Sequence, residues 1–441
     1  MKKNLQEISD YIIQFLLGNE NSELSKLIGY TSNPLKFSQY KLVIFPSEFF
    51  SENTYKTERS LPKLPLENWE EIPLLFGNPK QEKQGDTILL YADIVASSFF
   101  LISRYEEVIY RSDRDEHGRF QGKKCLPFRA GFLERPIVDE YGKALRKLLR
   151  EIGLDVKEPK SDFNRIYLTH DADQIAHYRN FRGMTGAISR FFKSPYQSFK
   201  AIQSYFGGIQ HDPWFTFPWL FDLANQVKKQ NKETDIETIV FVKSGGSELN
   251  QDKPIHDVLD KDFTYLFELC RKNEVKIGLH PSYQAGQDIY LIAKEKEVLE
   301  KAIYENVKLS RNHYLRSREP EDFQALINAG ITDDFTMSYA DVAGFRLGTC
   351  RAVKWIHPIS LRLTSLTLHA TTMMDSTLSD IRYMNLNKDD AFAFSKKLID
   401  TVREFNGDLV LLWHNTSVEK ENGMYHRELY EWMINYLKTE R

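Results

Sequence analysis

Near the middle of this chain, an apolar stretch typical of a strand runs directly into charged residues. Residues 166–168 read Ile-Tyr-Leu, which is typical of a short buried strand. With no turn residue between, this run leads into Thr169, His170, Asp171, Ala172 and Asp173. Desolvating a carboxylate is costly unless a partner compensates it, so the pattern predicts a bound cation, a hydrogen-bond network or catalytic groups. The alternative is a strand that ends at the surface, where the carboxylates are solvated or cap the next helix.

Length and composition predict a globular protein with more than one domain. The chain has 441 residues, too many for one ordinary core, and 41% of them are hydrophobic. Its 59 basic and 62 acidic residues give a net charge of -3, which favours neither nucleic acid nor an anionic membrane as the main partner. Neutral polar ligands fit this balance better.

The N-terminal residues and the cysteines indicate the cellular compartment of the protein. Residues 1–10 contain two lysines followed by acidic and polar residues, where a signal peptide would be apolar. No stretch approaches the roughly 18 uninterrupted apolar residues of a membrane span. Cys125, Cys270 and Cys350 are far apart and odd in number, which argues against a disulfide framework and a cysteine zinc site. We therefore expect a cytoplasmic protein with no integral membrane segment.

The spacing of apolar residues predicts a change of architecture near residue 160. Before it, helical stripes lie within 4–18 and 137–152, and a linker follows at 157–161. After it, short strands alternate with amphipathic helices, the later strands being 236–242, 275–279, 335–339 and 409–413. We expect an accessory domain of unknown role at 1–160 and an α/β domain at 161–441. Its largely parallel sheet would be open or closed as a barrel, with function at the carboxyl ends of its strands.

Several predicted strands deliver titratable residues at their carboxyl ends. His280 follows strand 275–279, and His414 follows strand 409–413. A lone histidine at a strand end is more often a satisfied polar terminus than a ligand, but here the pattern recurs. Aspartate and histidine together suit a divalent metal such as zinc.

These residues resemble the motifs of the polysaccharide deacetylase family, the NodB-homology domain of carbohydrate esterase family four. The motifs occur in the family's order at 169–173 (Thr-His-Asp-Ala-Asp), 280–283 (His-Pro-Ser-Tyr), 311–314 (Arg-Asn-His-Tyr) and 412–414 (Leu-Trp-His). The likeness spans residues 161–441. It implies a deformed (β/α) barrel of about seven strands, with an additional N-terminal α+β domain.

The resemblance also implies a role for each matching residue. Asp171 would be the general base and His414 the general acid. Arg311 would orient Asp171, and the backbone amide of Tyr314 would help to form an oxyanion hole. Asp173 and His280 would bind the metal.

The chain departs from the family at two motif positions. The family's second motif ends in a further metal-binding histidine, where this chain has Gln284, and its third motif has proline where this chain has His313. Our hypothesis is that His313 supplies the missing imidazole, giving Asp173, His280 and His313 as the ligands. Gln284, through its amide oxygen, and His170 are the alternatives.

The function that the resemblance implies is a metal-dependent deacetylase that hydrolyses the N-acetyl group of an acetylated amino sugar in a glycan or glycan precursor. The cofactor would be a divalent cation, zinc first and cobalt or nickel as alternatives. The partner would be an acetylated carbohydrate rather than nucleic acid. Two other interpretations are a catalytically inactive glycan-binding protein on the same barrel and a glycoside hydrolase on a related barrel.

Two further residues have open interpretations. Arg346 lies in a Gly-rich stretch at 339–350, where it would either line the pocket or belong to a solvated loop. Asp375 follows an apolar pair in a predicted strand that leads to a turn, which makes it a weaker candidate for the site.

Overall fold

The strands form two main sheets and a hairpin in the computed structural model, which describes residues 2–179, 181–189, 192 and 195–438. The first six strands are β1 Ile28–Tyr30, β2 Leu42–Ile44, β3 Glu67–Trp69, β4 Ile72–Leu74, β5 Gly77–Gln84 and β6 Thr87–Ala92. The other nine are β7 Arg165–Ala172, β8 Asp235–Val242, β9 Lys276–Leu279, β10 Leu309–Ser310, β11 Asp333–Met337, β12 Val353–His357, β13 Arg362–Ala370, β14 Met373–Met374 and β15 Asp408–Leu412.

Helices connect and cover these sheets. Those of the first part are α1 Lys2–Leu17, α2 Ile94–Ile102, α3 Tyr105–Ile109, α4 Leu126–Arg129 and α5 Ile137–Glu151. Those of the second part are α6 Phe181–Ile188, α7 Pro195–Gly207, α8 Phe217–Gln230, α9 Lys261–Lys272, α10 Leu291–Ile303, α11 Glu321–Asn328, α12 Asp375–Ser379, α13 Lys388–Glu404 and α14 His426–Lys438. Among the described helices, none combines the length and the apolar character needed to cross a bilayer.

The smaller sheet has the order β1-β2-β6-β5. Strands β1, β2 and β6 are parallel, and β5 is antiparallel to β6. All eight residues of β5 are exposed, so this edge contributes nothing to the core. The stretch 61–79 carries the hairpin β3-β4 and the start of β5, although its proline content is typical of a connection.

The larger sheet has nine strands in the order β12-β13-β11-β10-β9-β8-β7-β15-β14. All its neighbours pair in parallel except β12, which is antiparallel to β13. The two ends of the sheet come together, because β13 ends at Ala370 and β14 begins at Met373. Between them, the Thr371 amide donates to the carbonyl of Met337 and the Thr372 amide to that of Val410, each at 2.9 Å. The sheet therefore curls towards its own edge.

The predicted α/β class with a largely parallel sheet is confirmed, and this sheet is curled. The sheet has nine strands where about seven are expected for the family it resembles. If β13 and β14 count as one interrupted strand, seven parallel strands remain and β12 lies outside them. Closure into a complete barrel stays a prediction.

The two parts of the chain share one hydrophobic core. A single cluster of buried side chains includes Ile8 and Ile12 of α1, Phe99 of α2, Trp355 of β12 and Leu366 of β13. Polar contacts join the same elements, since the Lys354 amide donates to the Tyr11 hydroxyl at 2.7 Å. The sheets change near residue 160, but independent domains at 1–160 and 161–441 stay a prediction. Residues 1 and 439–441, the outermost of these ranges, lie outside the described residues.

A buried ionic network also crosses between the two parts. Arg104 pairs with Glu107 and Glu319, and Arg346 pairs with Glu107, all four side chains being almost completely buried. Both expectations for Arg346 are therefore wrong: it neither lines the cavity described below nor belongs to a solvated loop. Glu107 attracts it because a buried guanidinium needs a compensating carboxylate.

Candidate metal centre

Strand β7 sorts the residues of the first motif onto two faces. Successive side chains of a strand alternate in direction, so Thr169 and Asp171 share one face and His170 takes the other. Arg311 contacts both Thr169 and Asp171. His170 is buried on the opposite face, with Nδ1 3.0 Å from the carbonyl oxygen of Trp413, and it is not part of the ligand cluster.

Asp173, His280 and His313 meet at the carboxyl end of the sheet. One ligand atom from each lies within 4.8 Å of the other two. Nε2 of His280 is 3.1 Å and Nε2 of His313 is 3.5 Å from Oδ1 of Asp173. Tetrahedral zinc with bonds of about 2.0–2.1 Å places its ligand atoms about 3.3 Å apart, so this spacing suits such an ion.

Each histidine of the cluster is oriented through its other ring nitrogen. Nδ1 of His280 donates to the carbonyl oxygen of Arg311 at 2.6 Å, and Nδ1 of His313 donates to Oδ1 of Asp252 at 3.2 Å. A carbonyl or carboxylate oxygen can only accept, so in the neutral rings the lone pair is on Nε2, which faces Asp173. Burial lowers the pKa of His313, against the opposing effect of Asp173, and this favours the neutral form that binds metals.

The carboxylate of Asp173 has an oxygen that receives no hydrogen bond within the described part of the chain. Its Oδ1 is buried and forms no hydrogen bond with any described residue. Burial alone would raise its pKa, but positive charge on the neighbouring His313, His280 and His414 would hold the pKa of Asp173 well below its usual range, and a cation bound by neutral rings would act in the same direction. An ionised, buried carboxylate oxygen facing two imidazole lone pairs lacks only a cation, so the donor set fits a divalent metal.

Asp252 contacts the cluster through His313, on the side away from Asp173. Its position in the sequence did not predict this role. It is fully buried at the end of a 3-10 helix, Asn250–Asp252, and it accepts from the amides of Tyr283 and Gln284 at 2.7 and 2.9 Å. Burial alone would raise the pKa of Asp252, but hydrogen bonds from His313 and from these two amides hold it below its ordinary value. The loop after β8 contains several acidic residues, and nothing in their spacing distinguishes this one.

Gln284 is placed away from the cluster. The backbone amide of Glu248 donates to the side-chain Oε1 of Gln284 at 3.4 Å. The backbone amide of Gln284 donates to Oδ2 of Asp252. Among the three options for the third ligand, the structure therefore brings His313, and neither Gln284 nor His170, to Asp173 and His280.

Asp171 is held by a buried arginine beside the cluster. Nη1 of Arg311 donates to Oδ1 of Asp171 at 2.8 Å, while its Nη2 and Nε donate to Oγ1 of Thr169 at 2.7 Å and to the carbonyl of Phe335 at 3.1 Å. The guanidinium also lies 4.5 Å from the ring centre of Phe241. These contacts fix one carboxylate oxygen of Asp171 and leave Oδ2 directed towards His280, 3.8 Å away.

His414 is paired with Asp375 on the other side of the cluster. Oδ1 of Asp375 lies 2.8 Å from Nδ1 of His414, and its Oδ2 accepts from the His414 amide at 2.8 Å. Burial would lower the pKa of His414, but the Asp375 carboxylate raises it to about 10. Nε2 of His414 then faces Oδ2 of Asp173 at 3.6 Å. Asp375, a weak candidate by sequence, is thus the residue that orients His414.

A cavity of about 270 Å³ opens over these groups. Six of the seven predicted site residues line it, namely Asp171, Asp173, His280, His313, Tyr314 and His414, and Arg311 lies behind Asp171. Tyr314 has a left-handed φ of 61°, and its carbonyl accepts from Nη1 of Arg119 at 3.2 Å. Arg119 also lines the cavity, so the N-terminal part of the chain contributes to the site.

Comparison with known proteins gives only distant similarities. A family model described as a family of unknown function (DUF7033) matches residues 3–153, within the predicted N-terminal domain. A crystal structure from Mycobacterium smegmatis, provisionally described as a polysaccharide deacetylase, is 12% identical with a TM-score of 0.41, covering 64% of this chain and 87% of that one. PuuE allantoinase is 11% identical with a TM-score of 0.37 and the same coverage. No curated protein matches the sequence. Because these similarities are weak, the assignment of function rests on the side chains of the site.

Proposed function

We propose that this protein is a metal-dependent amide hydrolase that removes the acetyl group from an N-acetylated amino sugar in a glycan or glycan precursor. The observation that carries the proposal is the convergence of Asp173, His280 and His313 within 4.8 Å. This convergence lies between two oriented groups, the Asp171–Arg311 pair and the His414–Asp375 pair. Together they provide a cation site, a candidate base and a candidate acid around one cavity.

The metal would be held by Asp173, His280 and His313. One oxygen and two nitrogen ligands suit zinc best, with cobalt or nickel as alternatives, and the cavity leaves room for a further ligand. Such a cation supplies Lewis acidity, which makes water acidic near neutral pH and polarises a carbonyl group.

Asp171 is placed to accept the proton of an attacking water molecule. Arg311 fixes one of its oxygens, so the free Oδ2 is the one that faces the cluster. His414 is placed to donate a proton to the departing nitrogen, which is required because an amine leaves poorly as an anion. Its Nδ1 is occupied by Asp375, so Nε2 is the atom that faces the cavity.

Tyr314 is proposed to stabilise the developing oxyanion through its backbone amide. Its left-handed backbone conformation, in a residue that lines the cavity, is unusual for a tyrosine. Conformations of this kind persist where the surrounding structure fixes them, as the Arg119 contact to the Tyr314 carbonyl does. One oxyanion donor contributes about 3–4 kcal/mol in hydrolases that have been measured.

The test is an acetate-release assay on a panel of N-acetylated amino sugars, with metal content measured on the same samples. We expect release by the zinc-loaded protein, its loss in Asp171→Asn with zinc retained, and loss of both in His313→Ala. The controls are Asp155→Asn, in the exposed connection before β7, and His357→Ala on the outer strand β12. Full turnover in Asp171→Asn would overturn the mechanism. Protein that binds no metal and releases no acetate would favour the glycan-binding interpretation, and cleavage of sugar linkages would favour a glycoside hydrolase.

A further inference from the structure

Helix α7 exposes its large apolar side chains to solvent and buries small ones. The side chains that it buries are small, namely Ser198, Ala201 and Ser204. The large apolar ones are exposed, with Tyr196 56%, Phe199 57%, Ile202 40% and Phe206 75% accessible. At 100° per residue these four fall within an arc of about 120°, opposite the small residues. We call these four residues the α7 apolar face.

The helix is held in this orientation by specific contacts. Arg179 pairs with Asp262 of α9 and donates from Nη1 to the carbonyls of Ser204 and Tyr205 at 2.5 and 2.9 Å. Oγ of Ser204 donates to Oδ2 of Asp212 at 2.7 Å. The buried face of the helix therefore forms the hydrogen bonds with the rest of the protein. These hydrogen bonds fix the rotation of the helix, which leaves the α7 apolar face exposed.

The sequence around the helix has a local charge that the whole chain lacks. Residues 174–211 contain no aspartate or glutamate but five basic residues, Arg179, Arg182, Arg190, Lys193 and Lys200. The complete chain, by contrast, has a net charge of -3. Arg179 pairs with Asp262 and Lys200 lies 3.4 Å from Glu421, so the five basic residues of the segment exceed these two acidic ones by three. An aromatic face beside an excess of basic residues is the combination that binds the interface of an anionic bilayer.

The α7 apolar face lies at the same end of the large sheet as the candidate metal centre. The segment that contains it begins immediately after Asp173, at the carboxyl end of β7. Nζ of Lys200 is also 3.4 Å from Oε1 of Glu421, in the loop that follows His414 and β15. A surface bound by α7 would therefore lie near the mouth of the cavity.

We propose that the α7 apolar face docks on an anionic lipid surface. The aromatic rings would enter the headgroup region while the basic residues attract anionic lipids. A second copy of the chain is a poorer occupant, because pairing of identical faces would bring two basic, acid-free segments together. Docking would hold the cavity close to lipid headgroups, which suits an acetylated sugar carried on a lipid; this last consequence, unlike the docking itself, rests on the proposed function.

Vesicle sedimentation tests the docking without any activity measurement. The wild type should sediment with vesicles that mix phosphatidylglycerol with phosphatidylcholine, less with phosphatidylcholine alone, and less in high salt. Phe199→Ser with Phe206→Ser should lower the apparent affinity for the mixed vesicles about tenfold or more, since both rings are lost from the interface. The matched control is Tyr290→Ser with Tyr304→Ser, which removes two exposed aromatics flanking α10 and should leave binding unchanged.

Three results would overturn the proposal. The first is a wild type that does not bind the mixed vesicles. The second is equal binding by the Phe199 and Phe206 double variant, with thermal unfolding showing that both proteins are folded. The third is a wild-type oligomer, seen by light scattering, that this double variant converts to monomers without any vesicle binding, which would make the face a contact between copies.

Discussion

At the scale of single residues, the candidate centre is a rearranged version of the motifs that it resembles. The position where the second motif has histidine is Gln284, which is directed away from the cluster. His313, from the third motif, occupies the space beside His280, with ring centres 5.0 Å apart. A histidine at this position needs a hydrogen-bond acceptor to orient its ring. Asp252 provides this acceptor for Nδ1 of His313. With His313 as the proposed third ligand, the donor set would be preserved and only the loop that supplies it would differ.

The first residue-scale prediction concerns Asp252. Asp252→Asn should weaken zinc binding about 10- to 100-fold, because the ring of His313 loses its charged acceptor. Chelator competition measures this affinity. Asp257→Asn, an exposed aspartate in the same loop, is the control and should bind zinc as the wild type does. Unchanged affinity in the Asp252 variant would show that His313 needs no such support.

The second residue-scale prediction concerns Asp375. Asp375→Asn should lower kcat about 100-fold or more with little change in KM, because His414 is no longer held with Nε2 facing the substrate. Zinc content should stay stoichiometric, since neither residue belongs to the ligand cluster. Steady-state kinetics on the preferred acetylated sugar provides the measurement, and Asp389→Asn on the exposed start of α13 is the control. A KM effect alone would contradict the assigned positioning role.

At the scale of elements, α3 and the segments around Arg346 and Glu319 are joined by buried charge. Burial alone would raise the pKa of Glu107, but Arg104 and Arg346 lower it to about 2. Burial raises the pKa of Glu319 to about 7, although Arg104 opposes this. Glu107 is therefore the permanent anion between the two arginines, and its charge links the N-terminal part to the rest of the chain.

This network predicts a pH-dependent stability. The folded-state pKa of Glu107 is about 2 and its ordinary value is 4.5, so its contribution is complete above 4.5 and is lost as the pH falls towards 2. Glu107→Gln should lower the free energy of unfolding by about 3 kcal/mol at neutral pH. Urea unfolding of both proteins from pH 7 to pH 3 should show the difference narrowing, because protonation of Glu107 in the wild type removes the charge that the substitution removes.

The control for this prediction is an exposed pair. Glu70→Gln breaks a contact with Lys147 in which both side chains are largely accessible, and it should leave the unfolding midpoint unchanged. A difference between wild type and Glu107→Gln that stays constant down to pH 3 would show that the charge of Glu107 is not what stabilises the fold.

At the scale of the whole molecule, the N-terminal part both completes the core and reaches the cavity. Its buried residues belong to the same hydrophobic cluster as those of the large sheet. Its Arg119 contacts Tyr314 and Tyr383 at the cavity, with Nη2 3.3 Å from the Tyr383 hydroxyl. An accessory domain that merely adjoined the large sheet would make neither contact.

This integration predicts the behaviour of a truncated protein. Residues 161–441 expressed alone should be poorly soluble or lack cooperative unfolding, because removal of α1 and α2 exposes apolar side chains such as Trp355 and Leu366. Soluble yield, near-ultraviolet circular dichroism and thermal unfolding measure this. A soluble fragment that unfolds cooperatively would instead support the boundary near residue 160 as a true domain boundary.

Features that depend on local hydrophobic pattern and on strand ends could be predicted from the amino-acid sequence alone. Short continuous apolar runs predict β7, β8 and β15, and the residues just beyond such runs predict Asp171, Asp173, His280 and His414 as one group. Parallel strands bring their carboxyl ends to one edge, so this grouping needs no knowledge of the loops. The apolar pattern does not reveal β10, β12 or β13 of the large sheet. Of these, β10 has only two residues and therefore carries little periodic signal.

The partner of each charged side chain could be identified from the folded chain but not from the sequence. Asp252, Arg119 and Asp375 lie in or beside loops, where nothing repeats along the sequence, and their partners are 61, 195 and 39 residues away. The Gly-rich stretch 339–350 around Arg346 indicates a position at the cavity or in a solvated loop, whereas its partner Glu107 lies 239 residues away. Burial makes an unpaired charge costly wherever its partner lies along the chain, so the folded packing selects these pairs and local sequence does not.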